Sequence, residues 1–223
     1  MSVTFNEYPD REMLYLAVAN LITGQLAQQL RMADRAALCV PGGTTPAPVL
    51  GLLSGTELDW DRVTVFLNDE RWVGADNIRS NTRLLREHLL RDHAAQATYI
   101  DLFDGAATPA DAAPHLADQI EAQLPITVTL VGMGDDMHTA SLFPGLASAA
   151  LGLAADAPAV IPVEDTEEPR ISLSARALKS AINVHLLITG AAKREAFEKA
   201  QNLDPIDAPI RALCGDLVVH WAE

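Results

Sequence analysis

The chain has 223 residues, of which 30 are acidic and 16 basic, for a formal net charge of -14. That excess repels polyanions and argues against nucleic-acid binding through a general basic surface, so a small anionic ligand would need a local exception. With 49% hydrophobic and 21% charged residues, no block is poor enough in apolar side chains for extended disorder, and the length suits one α/β domain over residues 1–223.

Cys39 and Cys214 lie far apart in apolar surroundings, without C-x-x-C spacing, and read as reduced core residues. The stretch from Met1 to Glu7 lacks the basic and then apolar regions of a secretory signal, and no later apolar run is long enough to span a bilayer. The expected setting is the cytoplasm, without membrane attachment. The expected state is a monomer or small homo-oligomer.

Along the chain, Arg11 to Met32 carries Leu14, Val18, Leu21, Ile22, Leu26 and Leu30 at helical spacing, which predicts an amphipathic helix. Ala36 to Val40 is a continuous apolar run ending at Pro41-Gly42-Gly43, the pattern of a buried strand entering a turn, and a second helix is expected to start near Thr44 to Pro46. Comparable runs recur at Val63–Leu67, Ile126–Val131 and Val184–Ile188, separated by segments with helical spacing. Shorter strand candidates are Thr98 to Leu102, Val160 to Val163, Arg170 to Leu173 and Asp216 to Trp221. Gly105 to Pro114 and Gly145 to Pro158 read as surface connections or weak helices. The alternation predicts an α/β fold: a mainly parallel sheet covered by helices on both faces.

Chemistry-bearing residues gather where these strands end, and in open α/β sheets the carboxyl ends of strands form the ligand crevice. In Val40-Pro41-Gly42-Gly43-Thr44-Thr45-Pro46 the glycines permit close backbone approach, Thr44 or Thr45 can cap a helix, and the exposed N–H groups would face an anion. The spacing is not that of a nucleotide P-loop, whose lysine is missing. An ordinary turn with a capped helix is the bland alternative. Arg170 and Lys193 could bring positive charge to the same crevice, or be solvated surface charges.

Gly132-Met133-Gly134-Asp135-Asp136-Met137-His138-Thr139-Ala140-Ser141 follows the most continuous predicted strand. It lacks the third glycine of a dinucleotide fingerprint, and its aspartates would repel a pyrophosphate, so a nicotinamide cofactor fits poorly. A carboxylate can instead orient an imidazole during proton abstraction. His138 is the candidate general base and Asp136 its candidate partner, with Asp69 approaching from Asn68-Asp69-Glu70-Arg71. A metal held by Asp69, Glu70, Asp135, Asp136 and His138 is conceivable, but no compact ligand motif supports one. Ser141 sits in no G-x-S-x-G elbow, so water is the preferred nucleophile. Arg71 could stabilise an oxyanion or pair with Glu70, and Asn81 could cap the following helix or hold the Asp69 loop, capping being the local expectation. His88, His93, His115, His185 and His220 lack a comparable setting and read as structural.

At these positions the sequence resembles the 6-phosphogluconolactonase family, related to glucosamine-6-phosphate deaminases. The matching pieces are Gly42-Gly43-Thr44-Thr45-Pro46, Asp69-Glu70-Arg71-Trp72-Val73 with Ser80-Asn81, Gly132-Met133-Gly134-Asp135-Asp136, His138-Thr139-Ala140-Ser141-Leu142-Phe143-Pro144, Pro169-Arg170 and Gly190-Ala191-Ala192-Lys193. They run in family order over nearly the whole chain. The resemblance implies a three-layer sandwich with a Rossmann-like sheet, no cofactor, and hydrolysis of a phosphosugar lactone. It also implies water activation by His138, a reactive end lined by Asp69 and Arg71, and phosphate contacts from Gly43, Thr44, Arg170 and Lys193. Met137 stands where the family usually has glycine, so its side chain should either narrow the pocket or force an unusual backbone. Pro41 and Thr44 replace common serines. The alternatives kept open are an amino-sugar-phosphate isomerase or deaminase, and a phosphosugar-binding module without catalysis.

Overall fold

The computed structural model describes residues 3–223. In chain order it comprises β1 (Thr4–Glu7), α1 (Arg11–Met32), β2 (Ala36–Val40), α2 (Ala47–Ser54), β3 (Val63–Leu67), β4 (Asp69–Arg71), α3 (Asn81–His88), β5 (Thr98–Ile100) and α4 (Pro109–Glu121). There follow β6 (Val128–Val131), α5 (Ala147–Leu153), β7 (Val160–Val163), β8 (Arg170–Leu173), α6 (Ala175–Lys179), β9 (Asn183–Thr189), α7 (Ala191–Ala200) and β10 (Leu217–Ala222).

Seven strands form one sheet in the order β1-β10-β9-β6-β2-β3-β5, paired parallel throughout. Every residue of β2, β3 and β6 is buried, which requires cover on both faces of the sheet. Helix α1 supplies part of that cover through Leu14, Val18, Ile22, Leu26 and Leu30 of the expected stripe, while Leu21 at its edge is exposed. Its start is fixed by Asp10, whose carboxylate accepts the Met13 N–H at 2.8 Å. The mainly parallel α/β reading therefore holds. No helix among the described residues is long and apolar enough to cross a membrane.

Two strand candidates do not join this sheet. Val160–Val163 and Arg170–Leu173 pair antiparallel with each other, and β8 pairs antiparallel with β4, giving a separate three-stranded sheet β4-β8-β7. Asn68 is where the chain passes from one sheet to the other. Its N–H donates to the Val40 carbonyl at 3.0 Å, extending the parallel ladder, while its own carbonyl accepts from Leu173 N–H at 2.8 Å in the small sheet. Its side-chain amide donates to the Leu130 carbonyl at 2.8 Å, tying the crossover to β6. This residue delivers Asp69 to the crevice.

Within the large sheet, His185 of β9 and His220 of β10 are buried with ring nitrogens 3.1 Å apart. Tyr8 Oη lies 2.8 Å from His220 Nδ1, and Gln25 Oε1 lies 2.9 Å from His185 Nε2. The chain is satisfied in one direction by two neutral rings: Tyr8 donates to His220, His220 to His185, and His185 to Gln25. Burial lowers His185 to about 4, and burial together with the charge of His185 lowers His220 to about 3. A histidine depressed in the folded state takes its proton on unfolding, so its stabilising contribution is full above the ordinary value near 6.5 and is lost as pH falls below it. Between pH 6.5 and 5 each ring should remove roughly 2 kcal/mol. The urea midpoint should drop clearly between pH 7 and pH 5; equal midpoints would mean that the pair is not buried neutral.

Candidate active site

The carboxyl ends of β2, β3, β6 and β9 open on one pocket of about 320 Å³. Gly42, Gly43, Thr44 and Thr45 line it from the turn after β2, and Asp69, Arg71 and Asn81 from the crossover side. Gly132, Gly134 and His138 contribute from the loop after β6, Arg170 from β8 and Lys193 from α7. Among the predicted site residues Asp136 alone is not in this wall, and it touches the pocket through His138.

The turn after β2 is packed against Asn81 so tightly that a Cβ on Gly42 would lie 2.0 Å from the Asn81 amide oxygen. The expected threonine cap on the next helix does not form. Pro46 occupies the cap position of α2 and no side chain closes that end, so Thr44 and Thr45 remain in the pocket wall. Helix α7 likewise begins at Gly190 without a side-chain cap. Uncapped first turns leave backbone N–H groups and the positive ends of two helix dipoles available to an anion.

Three cations supplement these amides. Lys193 Nζ donates to the Met133 carbonyl at 2.8 Å and meets Asp135 Oδ1 at 2.9 Å. Arg170 lies over the Phe143 ring at 5.3 Å, 3.9 Å from Asp69 and 3.6 Å from Glu168. Burial pushes its guanidinium below the ordinary value, against the pull of Asp69. Arg71 Nη1 donates to the Arg79 carbonyl at 2.5 Å. The Nε groups of both Arg71 and Arg170 are buried with no hydrogen-bond partner among the described residues. Two unpaired guanidinium donors in one wall carry a desolvation cost.

The loop after β6 holds the imidazole. His138 Nδ1 lies 2.5 Å from Asp136 Oδ1, and the same oxygen accepts the His138 N–H at 3.2 Å. Desolvation works to raise the Asp136 carboxyl, but the charge and hydrogen bonds of His138 outweigh it, and the net shift is downward. An ionised carboxylate only accepts, so Nδ1 is the donor and the basic lone pair of neutral His138 sits on Nε2. Gly134 is required here by space: a Cβ would fall 2.1 Å from His138 Nδ1. Phe143 packs on the imidazole with ring centroids 4.6 Å apart.

Met137 adopts φ 68°, the left-handed conformation that glycine takes freely. Its carbonyl accepts the Ile210 N–H at 3.2 Å and its side chain packs against the main core, outside the pocket wall. The unusual-backbone alternative is the one realised, and the pocket is not narrowed. A cost of about 1 kcal/mol for the left-handed residue is offset locally by side-chain burial.

The acidic cluster divides by task. Glu70 does not pair with the Arg71 guanidinium. Its carboxylate accepts backbone N–H groups of Arg71 at 2.7 Å, Asn81 at 2.8 Å and Thr82 at 2.6 Å, with the Ser80 hydroxyl at 3.0 Å. Asn81 is not the helix cap either; Ser80 caps α3 by accepting from Arg83 N–H at 3.2 Å, while Asn81 Nδ2 donates to the Asp69 carbonyl at 3.0 Å. Of the residues weighed as metal ligands, Glu70, Asp135 and Asp136 thus face a helix end, Lys193 and His138 respectively. No three His, Cys, Asp or Glu side chains converge among the described residues. Sequence reasoning missed the role of Ser141, whose hydroxyl meets the buried Asp69 carboxylate at 2.5 Å.

A family model described as glucosamine-6-phosphate isomerases/6-phosphogluconolactonase matches residues 9–221. The chain belongs to this family. A 6-phosphogluconolactonase of Rhizobium meliloti is 36% identical, with all of both chains covered. One from Pseudomonas aeruginosa is 42% identical over 90% of this chain and 87% of its own. Among solved structures, a 6-phosphogluconolactonase from Shewanella baltica superposes with a TM-score of 0.94 at 31% identity, covering 100% of this chain and 98% of that one. Family membership agrees with the glycine turn, the Asp-Glu-Arg segment and the histidine loop meeting in a single pocket.

Proposed function

We propose that the protein hydrolyses 6-phosphoglucono-1,5-lactone to 6-phosphogluconate, the lactonase step of the oxidative pentose phosphate pathway, in the cytoplasm and as one catalytic unit per chain. The observation that carries this reading is the meeting, in one pocket, of an anion cradle with an imidazole held by a carboxylate. The phosphate is held by the Gly42-Gly43-Thr44-Thr45 turn, Lys193 and Arg170. Lys193 exchanges its contact with Asp135 for phosphate oxygens. The lactone carbonyl then lies beside His138, at a fixed distance from the anchored end, so attack is effectively intramolecular.

His138 Nε2 removes a proton from water as the water oxygen bonds to C1. Negative charge moves to the carbonyl oxygen, where Arg71 and nearby backbone N–H groups stabilise it. The tetrahedral intermediate collapses with cleavage of the bond between C1 and the ring oxygen, which takes the proton from imidazolium. Hydrolysis needs only water as co-reactant, so the reading calls on no metal or organic cofactor. Asp69 lines the same end, and its negative charge favours the imidazolium.

The test is a direct assay on freshly generated lactone, corrected for spontaneous hydrolysis. Turnover well above the uncatalysed rate is expected. Ammonia release from glucosamine 6-phosphate without lactone hydrolysis would replace this reading by the deaminase one. Stabilisation by 6-phosphogluconate without any turnover would leave a binding module.

A further inference from the structure

Ser141 and Ser172 are 31 residues apart in sequence and both fully buried, yet they meet beside Asp69. Ser141 Oγ donates to Asp69 Oδ2 at 2.5 Å, and Ser141 N–H donates to Ser172 Oγ at 3.1 Å. Ser172 sends its own proton to the Leu173 carbonyl at 3.0 Å and stands directly opposite Asp69 in the β4–β8 ladder. A polar bridge therefore joins the small sheet, which carries Asp69, Arg71 and Arg170, to the turn that carries His138.

Each side of the bridge is stiff. The turn is closed by Leu142 N–H donating to the Thr139 carbonyl at 3.0 Å, and Thr139 Oγ1 donates to the Gly132 carbonyl at 2.9 Å. On the other side, Asn68 and Leu173 lock β4 onto β8. Among the described residues, the Asp69 oxygen facing Ser141 has only Arg170 as a further partner, at 3.9 Å, and the other oxygen meets Asn81 at a long 3.5 Å. The serine hydroxyl is thus the short, charge-assisted bond that sets the carboxylate's rotation.

We propose that Ser141, seated by Ser172, is a positioning residue that fixes the Asp69 carboxylate relative to His138 in the lactonase pocket; the inference rests on the lactonase reading. Ser141 is not a nucleophile in this arrangement, because its hydroxyl proton is committed to Asp69 and His138 Nδ1 to Asp136. Its contribution lies in geometry, and errors of about 1 Å in such a pocket can cost on the order of 100-fold in rate.

The experiment compares kcat and KM for the lactone in the parent, Ser141→Ala and Ser141→Cys, with thermal midpoints measured alongside. Cysteine keeps the volume but is a weak donor. Both variants should lose roughly 10- to 100-fold in kcat with KM within about twofold, since the phosphate anchor is untouched. Full kcat in Ser141→Cys would show that only volume matters and overturn the proposal. If the parent itself fails to turn over lactone, the lactonase reading fails separately. The crystal structure of Ser141→Ala then decides the positioning role: a rotated Asp69 carboxylate supports it, and an unmoved one overturns it.

Discussion

Replacing His138 with alanine should leave a folded protein whose kcat on the lactone falls about 1000-fold, within the range expected for loss of a general base. The imidazole is partly exposed and packs on the half-buried Phe143 ring, so stability should change little. KM should stay close to the parental value, because the proposed phosphate contacts lie on other loops and would bind ground and transition states alike. Asp136 gives the prediction its direction: by accepting from Nδ1 at 2.5 Å it leaves Nε2 as the proton acceptor. Steady-state kinetics on the purified variant check this. A kcat within threefold of the parent would remove the base assignment, whatever the overall activity.

Glu70→Ala should be the most destabilising single change near the site. The carboxylate is fully buried and is the shared acceptor for three backbone N–H groups and one hydroxyl. Burial pushes this carboxyl up from its ordinary range, while the N–H donors from Asn81, Thr82 and Arg71 pull the other way. Truncation strands those donors at about 1–3 kcal/mol each, so even the low end of that range totals on the order of 4 kcal/mol, a large share of ordinary domain stability. By contrast Glu87→Ala, which removes an exposed pair with Arg83 along the same helix, should cost under about 0.5 kcal/mol. Urea denaturation of the two variants separates a buried acceptor from a surface charge. Equal midpoints would contradict the structural role given to Glu70.

Much of this arrangement is legible in the sequence because it is local. Helix α1 and strands β2 and β3 follow from periodicity and from the residues that bound them, and they coincide with the observed limits. The site cluster is legible because strand-end loops converge by the geometry of parallel sheets. What could not be read is pairing over long distances. β1 carries a half-exposed Thr-Phe-Asn-Glu pattern with no apolar run, and its place depends on β10 at the other end of the chain. The polar trio Asp69–Arg71 becomes a strand only because β8 lies opposite.

The misassigned side chains have the same origin. Ser80 and Asn81 are adjacent and both suit a cap; a one-residue difference in helix start gives the cap to Ser80 and frees Asn81 to hold Asp69. Glu70 beside Arg71 suggests an ion pair, but the side chains of neighbouring strand residues point to opposite faces. Ser141 meets Asp69 across 72 residues, and no local pattern announces that contact.

The most direct measurement is a crystal structure of the protein with 6-phosphogluconate bound. The account predicts phosphate oxygens on the Gly43 and Thr44 amides and on Lys193, with the carboxylate carbon next to His138 Nε2. A sugar bound the other way round, with phosphate against His138 and the carboxylate in the glycine turn, would contradict it.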